Sequence, residues 1–230
     1  MTHERLRQSA CDANQALAET GLVMGTFGNL SVVDREARVF AIKPSGVAYE
    51  VLRPRDIVVV SLADGAVVDS ELRPSSDTPT HLELYRAFDC AAIVHTHSEY
   101  ATMFAQARMP IRCMGTTHAD YFRADIPVTR PMRQEEVEYD YERNTGLVIA
   151  ETFVNRSASD VQAVLVANHG PFVWGADPAK AIEHASVLEF LARLDWRIRT
   201  MAPDAPPPEQ FLIDKHYRRK HGPAAYYGQQ

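Results

Sequence analysis

The chain has 230 residues, 46% of them hydrophobic, and a formal net charge of −6. That length fits one domain spanning 1–230 with an ample core. The acidic balance argues against general nucleic-acid affinity, which needs a broad basic surface.

No run of about 18 apolar residues occurs, so no membrane-spanning helix is expected. The start, Met1-Thr2-His3-Glu4-Arg5, is polar, unlike a secretory leader, and the expected location is cytoplasmic. Residues 3–19 then place Leu6, Ala10, Ala13 and Leu17 on one helical face, with Gly21 as a C-cap. Next the period changes: 29–33 and 38–42, around the polar turn 34–36, read as a strand hairpin, and 57–62 with 66–68 read as another. Connections this short force antiparallel pairing.

Thr78-Pro79 predicts a helix start, with Leu82, Tyr85 and Phe88 on its apolar side. Residues 91–94 form a short buried strand running into His95-Thr96-His97, and Ser98 caps a helix to about residue 107. One longer helix is predicted over 134–154, with Gly146 inside it. Residues 163–167 are a further buried strand ending in Asn168-His169-Gly170. Asp177-Pro178 starts a helix with Ala181, Ile182, Ala185, Leu188 and Leu191 inward. A Pro-rich link, 202–208, leads to a helix over 209–220 and a tail. The predicted fold class is α/β: a single domain with a mainly antiparallel central sheet covered by helices on both faces.

His95 and His97 stand two apart at a strand end, so both imidazoles project to one side. His169 ends a second apolar strand. Three neutral imidazoles suit Zn²⁺ and leave a coordination position open. Two hydrogen-bonded core histidines and an unrelated third account for the same spacing, which alone does not decide. Cys11, Cys90 and Cys113 show no CxxC spacing and read as small buried residues. Polar clusters recur at turns: Gly28-Asn29, Lys43-Pro44-Ser45-Gly46 and Ser75-Ser76-Asp77. Each combines turn amides with Asn, Ser or Lys donors, a pattern that serves ordinary turns or an anion. Neither a GxxxxGK[ST] nor a GxGxxG nucleotide loop occurs.

Taken together, these motifs resemble the L-ribulose-5-phosphate 4-epimerases of the class II aldolase/epimerase group. The resemblance is carried by Gly28-Asn29-Leu30-Ser31, 42–47, 74–81, Val94-His95-Thr96-His97-Ser98, 115–121 and Asn168-His169-Gly170-Pro171. It extends through the tail, from Asp214-Lys215-His216-Tyr217 to Tyr226-Tyr227-Gly228-Gln229. It implies zinc, with Mn or Co as substitutes, on His95, His97 and His169, and Asp77 beside the metal as a fourth ligand. It also implies a substrate phosphate on Asn29, Ser45, Gly46, Ser75 and Ser76, with Lys43 adding charge. Asp120 and Tyr227 correspond to an acid/base pair and His216 to a residue near the site. The implied assembly is a cyclic homotetramer with sites at subunit interfaces, the segment 209–230 reaching a neighbour.

The resemblance further implies that the small-molecule substrate is a sugar phosphate. Aldolases of the group that resemble this chain carry Glu where Asp77 stands, so Asp77 is the epimerase pattern. The competing expectations are an aldolase of the L-fuculose-1-phosphate type and, because the group includes the adducin head, a metal-free binding module.

Overall fold

The computed structural model describes residues 3–222, 225 and 226. Among them no helix is long and apolar enough to cross a membrane. The first helix, α1 (Glu4–Glu19), buries Ala10, Ala13 and Leu17, the apolar stripe expected from the sequence. β1 (Asn29–Asp34) turns back into β2 (Val39–Ile42), and β3 (Val58–Ser61) into β4 (Val67–Asp69). Both hairpins are antiparallel, as their short connections require. α2 (Thr78–Ala87), β5 (Ala92–His95) and α3 (Glu99–Gln106) follow, then the single-turn α4 (Thr116–Ala119). The chain continues through α5 (Gln134–Glu138), α6 (Tyr141–Thr152), β6 (Ala163–Leu165), β7 (Pro171–Gly175), α7 (Pro178–Met201) and α8 (Gln210–Lys220).

Among the described residues, all seven strands join one antiparallel sheet in the order β4-β3-β2-β1-β5-β7-β6. Opposite residues point the same way, so Ser31, Ile42, Ile93 and Trp174 share a face. α2 covers that face: Ser31 Oγ meets both His81 Nδ1 and Tyr85 Oη at 2.7 Å. Phe88 stacks on Trp174 there, with ring centroids 4.6 Å apart. α1, α3 and α7 pack on the sheet's other face. The core is therefore continuous through the sheet, with Leu30, Phe40, Ile93 and Phe172 fully buried.

The sequence expectation differs from the structure at several local points. The helix expected over 134–154 is two helices, broken where Asp140 adopts φ 55°. A left-handed residue cannot continue an α-helix, and Asp tolerates that conformation better than most. β7 has no counterpart among the expected strands; its five residues are buried on both faces and lack the alternation that marks a half-exposed strand. Thr78 is not a cap: Asp77 holds that position, and neither Asp77 nor Ser98 makes a side-chain capping bond. The Glu189 carboxylate on α7 instead accepts from the Tyr100 and Ala101 amides at 2.8 and 2.9 Å, closing the start of α3 from outside. Asp177 does cap α7, accepting from the Lys180 amide at 2.7 Å.

Gly146 lies at the α2–α6 contact. A Cβ there would sit 2.7 Å from the Glu83 Cβ and 3.0 Å from the Thr80 carbonyl oxygen. The expected result for Gly146→Val is a loss of about 1–3 kcal/mol of stability, read by denaturant unfolding, because α6 must back away from α2. Fully buried His81 has its pKa pushed down to about 3 by burial, offset in part by Asp77. Unfolding returns it to roughly 6.5, so between those values the unfolded chain binds the extra proton and stability falls as pH falls. Unfolding curves at pH 7.5, 6 and 5 should show a slope that steepens as pH falls, and His81→Gln should reduce it by up to about 1.4 kcal/mol per pH unit below pH 6.

Candidate metal centre

The site is built where the edges of β1 and β5 meet the turn between β6 and β7. The register pairs Asn29 with His95 and His95 with Phe172, setting His95 at the strand end between the two neighbours. His95 Nδ1 lies 2.9 Å from the Pro171 carbonyl oxygen. A carbonyl only accepts, so the proton sits on Nδ1 and the Nε2 lone pair faces the cleft. His97 Nε2 is 3.1 Å from His95 Nε2. His169 is carried in by the β6–β7 turn, where Asn168 takes φ 64° and accepts from Arg108 Nε at 2.9 Å. That gives Asn168 a local reason: Asn is favoured among non-glycine residues in the left-handed region. Gly170 completes the turn, since a Cβ there would lie 2.8 Å from the Thr96 carbonyl oxygen.

The three imidazoles offer ligand nitrogens all within 4.8 Å of one another. Nitrogens bound at about 2.0–2.1 Å to one tetrahedral ion lie roughly 3.3 Å apart, a spacing small ring rotations reach. Protonation of His97 and His169 does not compete at neutral pH. Burial pushes His169 down to about 4, helped by His95 and His97, and burial likewise lowers His97. The trio fits a divalent metal. Asp77 stands just behind, its Oδ2 4.0 Å from His95 Nε2. Burial would raise its carboxyl, but His95, His81 and the Asn29 amide outweigh that and hold it below the ordinary range.

The cleft of about 390 Å³ runs from the trio to the turn clusters singled out in the sequence. Asn29, Lys43, Ser45, Gly46, Ser75 and Ser76 all line it. An antiparallel bridge between Pro44 and Pro74 clamps the two clusters together, and it uses the Ser45 and Ser75 amides. The Gly46 and Ser76 amides and the Ser45 and Ser76 hydroxyls have no hydrogen-bond partner among the described residues. Asn29, which the resemblance gives to the phosphate, has its side-chain donor engaged within the cleft. Its Nδ2 already donates to Asp77 Oδ2 at 2.7 Å and Ser75 Oγ at 3.1 Å, and its buried Oδ1 has no partner among the described residues. Lys43 is 1% exposed, and among the described residues it has no ion pair. Among the described residues its ammonium reaches only the Thr26 carbonyl at 3.4 Å and the Tyr49 ring at 4.6 Å. Burial lowers its pKa. A buried cation so weakly partnered is stabilised by an anion.

Asp120 and His216 meet each other away from this cleft. Asp120 Oδ1 is 3.0 Å from His216 Nδ1, and Arg219 donates to both carboxylate oxygens at 2.8 and 2.5 Å. Burial pushes the Asp120 carboxyl up, but the bonds from Arg219 and His216 outweigh it and keep it low. Tyr227 lies outside the described residues. Sequence reasoning missed Phe27, Tyr141 and Glu142 as cleft residues. Phe27 adjoins the noted Gly28-Asn29 pair. An unbroken helix over 134–154 would bury Tyr141 and Glu142 mid-element, whereas the break at Asp140 makes them the first turn of α6.

Chelator-stripped protein should bind one divalent ion per chain by calorimetry. His97→Asn should weaken that binding by at least about 100-fold, beyond the loss expected for an outer-shell partner. Wild-type affinity in the variant would rule out the trio as the ligand set.

The class II aldolase and adducin N-terminal domain family matches residues 8–196. Among solved structures, an L-fuculose 1-phosphate aldolase is 28% identical, with TM-score 0.78 over 94% of this chain and 96% of that one. L-fuculose-1-phosphate aldolase from Thermus thermophilus is 26% identical, with TM-score 0.66 over 89% and 99%. YgbL from Klebsiella pneumoniae, assigned only as far as aldolase/epimerase/decarboxylase, is 26% identical, with TM-score 0.73 over 94% and 99%. With the family match spanning most of the sequence and the same antiparallel sheet, the chain belongs to the class II aldolase and adducin N-terminal domain family.

Proposed function

We propose that the chain is an L-ribulose-5-phosphate 4-epimerase that uses zinc at His95, His97 and His169. The observation that carries this reading over its relatives is Asp77. Aldolases that resemble this chain have Glu at that position, where it acts as a base. Here the side chain is one methylene shorter and is drawn onto Asn29 Nδ2 at 2.7 Å. It therefore braces the cradle through Asn29.

Inverting C4 of a 2-ketose phosphate is chemically awkward because the C4 proton is not adjacent to the carbonyl. Cleavage of C3–C4, rotation of the aldehyde fragment and re-addition to its other face accomplish it. A divalent ion at the trio supplies Lewis acidity that stabilises negative charge on neighbouring sugar oxygens. Lys43, the Gly46 and Ser76 amides and the Ser45 and Ser76 hydroxyls hold the phosphate, so the aldehyde turns without leaving. Two proton carriers are needed at the C4 oxygen, one for each face. Asp120 and Tyr227 take those roles, one taking the C4 hydroxyl proton during cleavage and the other giving its own proton to the C4 oxygen after rotation and re-addition, with solvent resetting both.

We place Asp120 and Tyr227 of each site on different subunits of a ring, with the segment 209–230 reaching the neighbour. The position of Asp120 outside its own chain's cleft supports a contribution from a neighbour. Likeness to the two L-fuculose-1-phosphate aldolases favours a second reading, release of both fragments from a related sugar phosphate.

Incubation with L-ribulose 5-phosphate separates the two readings. The expected product is D-xylulose 5-phosphate with C4-bound deuterium retained. Accumulation of free dihydroxyacetone and glycolaldehyde phosphate instead establishes the aldolase, and washout of the deuterium at the turnover rate refutes cleavage altogether. Asp120→Asn and Tyr227→Phe, each nearly inactive, should regain about a quarter of wild-type activity when mixed equally under subunit exchange, because one of four ordered pairings has both residues intact. Verified exchange without recovery would place both residues in one chain or remove Tyr227 from the chemistry.

A further inference from the structure

Between α1 and β1 a short segment crosses the mouth of the cleft. Leu22 and Val23 pack on the core, and a turn follows, closed by the Phe27 amide donating to the Met24 carbonyl at 3.0 Å. Met24 is 73% exposed and Phe27 60%. Phe27 nevertheless lines the cleft, lying nearly parallel to His97 with centroids 6.1 Å apart. A large aromatic left more than half in water beside a ligand-sized cleft is stabilised by any contact that buries the rest of its ring. A substrate's carbon chain offers such burial.

The backbone permits a swing. Gly25 has φ 59° and Gly21 φ 73°, and a Cβ at either would touch nothing within 4 Å. These glycines therefore serve the left-handed conformation and not close packing. Gly28 is the fixed end: a Cβ there would lie 2.9 Å from the His95 carbonyl oxygen.

Two side chains of the cradle region hold the turn. Tyr49 Oη donates to the Phe27 carbonyl at 3.1 Å, and Lys43 Nζ to the Thr26 carbonyl at 3.4 Å. The Lys43 bond is long, and phosphate oxygens accept from an ammonium at about 2.7–2.9 Å and more strongly. An anion in the cradle therefore competes directly for the lysine that fastens Thr26.

We propose that the Met24–Phe27 turn is a movable wall released by Lys43 when a phosphate monoester occupies the cradle, so that Phe27 folds in over the sugar's carbon chain beside His97. This rests on the sugar-phosphate reading of the site. Phe27 then determines retention: a flat apolar face confines the aldehyde fragment while making no hydrogen bond that would stop its rotation.

The test uses full-length Phe27→Trp protein titrated with inorganic phosphate, with wild type as the blank for Trp174 and Trp196. The added emission should change saturably with the same midpoint as phosphate binding measured by calorimetry. Calorimetric binding with no change in emission overturns the wall, and absence of phosphate binding removes its trigger and overturns it equally. During turnover of L-ribulose 5-phosphate, Phe27→Ala should release several-fold more free glycolaldehyde phosphate per epimerised product, and Phe27→Leu should restore retention. An unchanged ratio in Phe27→Ala refutes the retaining role. Should wild type convert no L-ribulose 5-phosphate, the functional reading fails while the emission titration still decides the inference.

Discussion

The pairing of β5 with both β1 and β7 is the constraint on which the site depends. Antiparallel register puts Asn29 and Phe172 on either side of His95, on the same face of the sheet. Because β7 pairs with β6 through a tight turn, His169 is delivered beside His95, with centroids 4.8 Å apart. The Pro171 carbonyl at the start of β7 then fixes the His95 tautomer. A one-residue slip would turn His95 to the opposite face and carry the carbonyl away with it. Backbone hydrogen bonding thus sets both the position and the protonation pattern of the ligands.

The cleft is electrostatically divided. At one end the His97 and His169 imidazoles are kept neutral by burial beside His95, with Asp77 held ionised behind them. At the other, Lys43 carries positive charge among hydroxyls and turn amides. Asn29 joins the halves, reaching Asp77 with one amide hydrogen and Ser75 with the other. A cation-binding end and an anion-binding end in one cleft suit a molecule bearing both vicinal oxygens and a phosphate. The α2–α6 contact fixes the far wall: Gly146 permits close approach, and Thr80 Oγ1 donates to the Glu142 carbonyl at 2.5 Å. Tyr141 and Glu142 therefore enter the cleft on a braced helix end.

A second polar centre organises the C-terminal region. Arg219 clasps both oxygens of Asp120, and His221 Nε2 lies 3.0 Å from the Asp120 carbonyl. These contacts dock α8 against α4, with Ile213 packed on Cys113 and Ala119. The small apolar cluster leaves the ion pair and its hydrogen bonds to specify how the helix seats, and Asp120 is positioned by the same residues that anchor the chain beyond it.

Much of the fold was legible because it is local. Apolar spacing marked α1 and α7, turn residues marked both hairpins, and the Asp177 cap forms as read. His95, His97 and His169 were legible as strand-end residues, and the Ser, Gly and Lys clusters as turns. Other features depended on contacts between distant segments. β7 carries no alternation because both its faces are covered, and the break at Asp140 depends on a left-handed residue no periodicity announces. The Asn29 donor is spent on Asp77, 48 positions away, and Phe27 lines the cleft near His97 on a turn tied to the distant Lys43 and Tyr49. The sequence by itself determined which residue types could bind a metal and an anion, since side-chain chemistry and turn propensity are properties of the residues. Tertiary structure decided that both sets share one cleft and that Asp120 stands outside it, because register and helix packing act between segments whose separation in sequence carries no geometric information.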